Sequence, residues 1–154
     1  MAAAHEIRTI VFATDFSTYS EDARSYVTSL ATRFAAHVVV VHAVEPIPTF
    51  DEPQDRDTEA WHAALRGDMQ NKLDAEVASL RSEGVDAEGR LLDGSPWKEI
   101  LRTALADQAD LIVVGSHGLR TPDGQVLLGT TSHKVALSSA IPVLIVRHGR
   151  RLHD

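Results

Sequence analysis

Short apolar runs alternate with longer helical stretches along this chain, and that alternation leaves few folds open. A β-branched run such as Val38 to Val41 is apolar on both faces, so a strand built from it must be covered on both sides. Leu111 to Val114 and Pro142 to Val146 have the same character. Ile7 to Phe12 reads as the first strand, and Val38 to Val44 as the second. Val85 to Leu92 is a weaker third strand at an edge, because Asp86, Glu88 and Arg90 alternate outward.

Helical spacing fills the gaps between these runs. Ala23, Tyr26, Val27, Leu30 and Phe34 predict a helix from Thr18 to Ala35, with Ser17 at its N-cap. Trp61, Leu65, Met69, Leu73, Val77 and Leu80 predict a second from Thr58 to Ser82, and Trp61 and Trp97 read as packing residues rather than stacking platforms. Ser95-Pro96 opens a third that runs to about Asp107, and Thr131 to Ser139 forms the fourth. Strand and helix in strict alternation imply an α/β fold: a parallel sheet with helices on both faces and right-handed crossovers. At 154 residues the expectation is one domain, residues 1–154. Pro46 to Asp57 reads as a proline- and acid-rich loop, and Arg147 to Asp154 as a frayed polar tail.

In open parallel sheets, ligands sit beyond the carboxyl ends of the strands, where the strand order reverses. Ala13, Thr14 and Asp15 occupy such an end. An Asp there accepts hydrogen bonds from ribose hydroxyls or a base amine, or ligates a metal; equally, it orders the turn. Val114, Gly115, Ser116, His117 and Gly118 end the fourth strand, and Gly129, Thr130, Thr131 and Ser132 open the fourth helix. Glycine permits a positive φ and close approach of a ligand to the main chain. Hydroxyls beside the free N–H groups of a helix start suit an anion, usually phosphate. His117 is either a phosphate or ribose donor or an exposed turn residue. Lys134 either balances phosphate charge or is solvated, and His42 reads as a packed strand residue.

Composition narrows the function classes. With 15 basic and 22 acidic residues the net charge is −7, which argues against non-specific binding to nucleic acid or an anionic membrane. The chain has no cysteine, which excludes disulfides, thiolate nucleophiles and zinc–cysteine sites and agrees with a cytoplasmic location. Neither a signal peptide nor an apolar run approaching ~18 residues is expected here. A P-loop, a Gly-x-Gly-x-x-Gly after the first strand, a Gly-x-Ser-x-Gly elbow and a His-Glu-x-x-His motif are all missing. None of the eight histidines pair at i, i+4 on one predicted helix, so no dedicated metal site is expected. No strong base stands beside a nucleophile, so any hydrolysis or autophosphorylation would be slow.

From Ile7 to Arg147 the chain resembles the universal stress protein family. That family's ATP-binding members carry Gly-x2-Gly-x9-Gly-(Ser/Thr), and Gly115, Gly118, Gly129 and Thr130 take those places. Residues 119 to 128 separate the second and third glycines, ten positions where the family has nine. The extra residue falls in Thr121-Pro122-Asp123-Gly124, a turn-forming cluster where an insertion costs little. Ala13-Thr14-Asp15-Phe16-Ser17 is similar to the family's Pro-Thr-Asp-Phe-Ser, with Ala13 in place of proline. Ala43 falls where the family sets a small apolar residue against adenine.

The resemblance implies a Rossmann-like, adenine nucleotide alpha hydrolase-like fold with five strands in the order 3-2-1-4-5. It implies ATP, with Mg²⁺ on its phosphates, held by Ala13, Thr14, Asp15, Ala43, Val114, Gly115, Ser116, His117, Gly118, Gly129, Thr130, Thr131 and Ser132. It also implies a homodimer through Pro142 to Val146 and a regulatory role in the stress response. The alternative is a dimeric interaction module that binds no nucleotide, which the longer glycine spacing keeps open.

Overall fold

The computed structural model describes residues 3–46, 56–116 and 128–148. Nine elements follow in alternation: β1 Thr9–Ala13, α1 Thr18–Phe34, β2 His37–Val44, α2 Arg56–Ser82, β3 Asp86–Asp93, α3 Pro96–Ala106, β4 Leu111–Gly115, α4 Thr130–Ser138 and β5 Val143–Val146. The strands form one parallel sheet in the order β3-β2-β1-β4-β5. This is the α/β architecture and strand order expected, with β3 at one edge and β5 at the other.

Strand alternation divides the core between the two faces of the sheet. On one face Ile10, Phe12, Val38, Val40 and Val113 pack with Ala23, Val27 and Ala31 of α1 and Leu73, Val77 and Leu80 of α2. On the other, Val11, Val39, Val41, Ile112 and Val114 pack with Ile100 and Ala104 of α3 and Val135 of α4. Burying the larger of these side chains stabilises the fold by about 1.5–3 kcal/mol each. The register sets Ala13 level with Val41 on one side and Val114 on the other.

Helix packing departs from the spacing of large side chains. The buried face of α1 is Ser20, Ala23, Val27 and Ala31, while Tyr26 and Phe34 are exposed. These small residues let α1 lie close to the sheet. A Cβ on Gly115 would stand 3.2 Å from the Tyr19 carbonyl oxygen. The fully buried residues of α2, Leu73, Val77 and Leu80, all lie in its second half, and Trp61 is 60% exposed rather than in the core. Trp97 does pack, against the α3–α4 core.

Element ends shift by a residue or two. β1 begins at Thr9 rather than Ile7, because Asp110 Oδ2 accepts the N–H groups of Arg8 at 2.8 Å and Thr9 at 3.0 Å just before the ladder starts. Arg56 and Asp57, read as loop, belong to α2. His148, read as frayed tail, is held: its Nδ1 lies 2.6 Å from Asp22 and its ring meets Tyr19 edge-on. His117, Gly118, the Thr121–Gly124 turn, residues 47–55 and the tail from residue 149 lie outside the described residues.

Candidate functional site

A cavity of about 350 Å³ opens beyond the carboxyl ends of β1, β2 and β4, where the starts of α1, α3 and α4 converge. Crossovers leave β1 toward α1 and β4 toward α4 on opposite faces of the sheet, so the chain itself parts there. Ala13, Val41, Ala43 and Val114 line the apolar side, with Ile100 and Pro96 of α3. Thr14, Asp15, Gly115, Gly129, Thr130, Thr131 and Ser132 complete the polar side with Ser17, Tyr19 and Ser20.

The Thr14–Ser17 turn is tightly held. The Thr14 carbonyl accepts a 2.7 Å bond from His42 Nδ1, and Thr14 Oγ1 accepts the Phe16 N–H at 3.0 Å. Phe16 adopts φ 61°, a sparsely populated region for a bulky residue, and its ring packs on His42 with centroids 4.6 Å apart. His42 is thus the packed strand residue expected, and it also lines the cavity. Asp15 Oδ1 accepts from Ser17 N at 3.0 Å, Ser17 Oγ at 2.5 Å and Ser20 Oγ at 2.7 Å. The Asp15 carboxylate therefore orders the start of α1 while lining the cavity. Ser17 sits at the N-cap of α1, but its hydroxyl serves Asp15 instead of capping the helix.

At the other wall, Gly129 is the N-cap of α4 with φ −62°. Any residue adopts that conformation, so the positive φ anticipated for glycine here is not used. Thr130, Thr131 and Ser132 form the first turn, whose N–H groups lack helical acceptors. Ser132 is buried, and its Oγ donates to the Gly115 carbonyl at 2.5 Å. Its hydroxyl proton is therefore spent within the protein, leaving those of Thr130 and Thr131 for the cavity. Ser116 does not line the cavity. It is 3% exposed, and its Oγ lacks a hydrogen-bond partner among the described residues.

Ten of the thirteen residues singled out in the sequence line this cavity. The remaining three are Ser116, which is set apart, and His117 and Gly118, which are not described. Seven further residues line the cavity: Ser17, Tyr19, Ser20, Val41, His42, Pro96 and Ile100. Two signals pointed to some of them: Val41 shares strand parity with Ala43, and Pro96 marks a helix start directly after a strand end. Among the described residues, no group of three or more His, Asp or Glu side chains could hold a metal ion. No helix among them is long and apolar enough to cross a membrane.

The 3-2-1-4-5 sheet and the cavity at its switch point define the class: a Rossmann-like α/β protein with a cavity where three helices begin. Residues 6–147 match the universal stress protein family, and the chain belongs to that family. It is 34% identical over 142 residues to the universal stress protein in the QAH/OAS sulfhydrylase 3′ region of Thermus aquaticus, covering 91% of this chain and 98% of the relative. The solved structure of MJ0577 from Methanocaldococcus jannaschii superposes with a TM-score of 0.79 at 25% identity, covering 96% of this chain and all of the other. A solved universal stress protein in complex with cAMP superposes with a TM-score of 0.71 at 27% identity, covering 93% and 98%.

Proposed function

We propose that this chain is a nucleotide-binding regulatory protein of the stress response that holds an adenine nucleotide, ATP foremost, in the cavity at the switch point. One observation carries the reading. An apolar slot between Ala13, Ala43 and Val114 opens directly onto the start of α4, where Gly129, Thr130 and Thr131 offer N–H and hydroxyl donors. A slot for a flat base joined to a cradle for an anion is what a nucleotide requires. The volume of about 350 Å³ lies within the usual range of small-ligand pockets, ~300–1,000 Å³. The cAMP carried by a relative of the same fold supports the same ligand class.

In this reading adenine lies against Ala13, Ala43 and Val114, and ribose beside Asp15 and Gly115. The phosphates lie at Gly118 and the Gly129–Thr131 turn, with Mg²⁺ held mainly by phosphate oxygens and at most one carboxylate, that of Asp15. Binding would set conformation or partner choice in a cytoplasmic homodimer. Calorimetric titration with ATP, ADP, AMP and cyclic AMP, with and without Mg²⁺, tests it. If the folded protein takes up none of them at millimolar concentration, the reading fails and a nucleotide-free interaction module replaces it.

A further inference from the structure

The indole of Trp97 holds two ammonium groups: Lys98 Nζ is 5.5 Å from the ring centroid and Lys134 Nζ 5.7 Å. Trp97 and Lys98 follow Pro96, a cavity-lining residue at the start of α3; Trp97, Lys98 and Lys134 do not themselves line the cavity but adjoin residues that do. Lys134 stands one turn beyond Thr130 and Thr131, which line the cavity at the start of α4. Helical side chains lean toward the N-terminus of their helix, so Lys134 leans back over the Thr130–Thr131 turn. Its ammonium stands over Trp97, the second residue of α3.

Among the described residues, neither lysine forms an ion pair. The one carboxylate on α3 and α4, Glu99, is taken by Arg102 at 2.9 Å. These two helices carry Lys98, Arg102 and Lys134 against that single acid, a basic face on a chain of net charge −7. A ring face holds an exposed ammonium weakly and leaves its N–H groups for stronger acceptors, of which phosphate oxygens are the best suited.

We infer that Lys98 and Lys134, parked on Trp97, form a shelf at the cavity rim that receives the outer phosphates of a nucleoside polyphosphate. The site then ranks its ligands by phosphate-chain length. This inference rests on the nucleotide reading above and adds to it a determinant outside the glycine turns.

Trp61→Phe leaves Trp97 as the sole tryptophan, and Trp61 is exposed on α2, away from the cavity. In that background, adenosine, AMP, ADP and ATP are titrated by calorimetry and by tryptophan emission. Affinity is expected to rise from AMP to ATP, with Trp97 emission shifting for ADP and ATP but not for adenosine or AMP. The Lys98→Ala/Lys134→Ala double variant should bind ATP about tenfold more weakly with AMP unchanged. Lys134→Arg, which keeps the charge and the ring contact, should retain most of the ATP affinity. An unchanged ratio of ATP to AMP affinity in the double variant overturns the shelf and leaves the nucleotide reading standing. Wild-type protein that binds AMP and ATP equally does the same. Failure to bind any of the four ligands overturns both.

Discussion

Ser132 Oγ donates a 2.5 Å hydrogen bond to the carbonyl of Gly115, tying the first turn of α4 to the end of β4. The two walls of the cavity are therefore fastened to each other by a side chain that spends its proton on the protein. Thr130, two residues earlier, is exposed and faces the cavity. The two hydroxyls should separate in experiment. Ser132→Ala is expected to lower stability by about 0.5–1.5 kcal/mol in urea denaturation, the net worth of one intramolecular hydrogen bond. Thr130→Ala should leave stability unchanged and weaken ATP roughly tenfold, by removing a donor to a charged group. A Ser132→Ala protein as stable as wild type would show that the tie contributes nothing.

Ser116 should respond with the opposite sign to Ser132. Its Oγ is buried without a hydrogen-bond partner among the described residues, so the hydroxyl lost its water on folding and gained no bond from them. Ser116→Ala removes that desolvated group and is expected to leave stability unchanged or raise it by up to about 1 kcal/mol. The midpoint of chemical denaturation measures this. A loss of stability would mean that Ser116 has a bonding partner after all.

The elements were readable in the sequence where β-branched residues dominate, as in Val38–Val41 and Leu111–Val114, because such runs fit only a covered strand. Side-chain size limits that pattern. Tyr26 and Phe34 step at helical spacing, yet α1 approaches the sheet through Ser20, Ala23 and Ala31, whose small side chains carry little signal in a hydrophobic pattern. Trp61 fails for a reason of length. The 27 residues of α2 span roughly 40 Å, and the 8 residues of β3 roughly 26 Å, so the first turns of the helix overhang the sheet. At the cavity, turn residues such as Asp15 and Gly129 were visible one by one, but Ile100 and Tyr19 reach it only through tertiary packing.

Two titrating groups should shape stability against pH from opposite sides. Burial opposes a charge on His37, but hydrogen bonds to Glu88 and Asp86 outweigh it, so the ring titrates above the ordinary 6.5. A group raised on folding contributes fully below its unfolded value and loses that contribution as pH climbs through the folded one. His37→Gln should therefore flatten the fall in stability above about pH 6.5.

Burial would raise the Asp110 carboxyl, but the N–H groups of Arg8 and Thr9 and the side chain of His5 hold it below the ordinary 3.8. Its contribution is present above that value and disappears as pH falls through the lowered one. Asp110→Ala should cost about 1–3 kcal/mol at neutral pH, since it strips the acceptor from two backbone donors. The deficit should shrink below about pH 3.5. Urea midpoints from pH 3 to 9 test both residues, and a deficit that stays constant with pH would refute the linkage for that residue.

The two edges of the sheet differ in a way that bears on assembly. β3 presents Asp86, Glu88, Arg90 and Asp93, and charges along an edge discourage pairing with another sheet. β5, at the opposite edge, is Val143-Leu144-Ile145-Val146, without a charge, and its first three residues are only partly covered. An apolar edge left open is an aggregation hazard, and pairing with the same strand of a second copy about a two-fold axis removes it. We therefore expect a homodimer built on β5. Light scattering at micromolar concentration should give twice the 16.8 kDa chain mass. Ile145→Lys places a charge on the β5 edge of each copy, at a partly buried position that also packs against the α3–α4 core, and should shift the protein to monomer. A wild-type monomer would sink the proposal. So would an Ile145→Lys protein that folds and remains a dimer, which would move the interface to another surface.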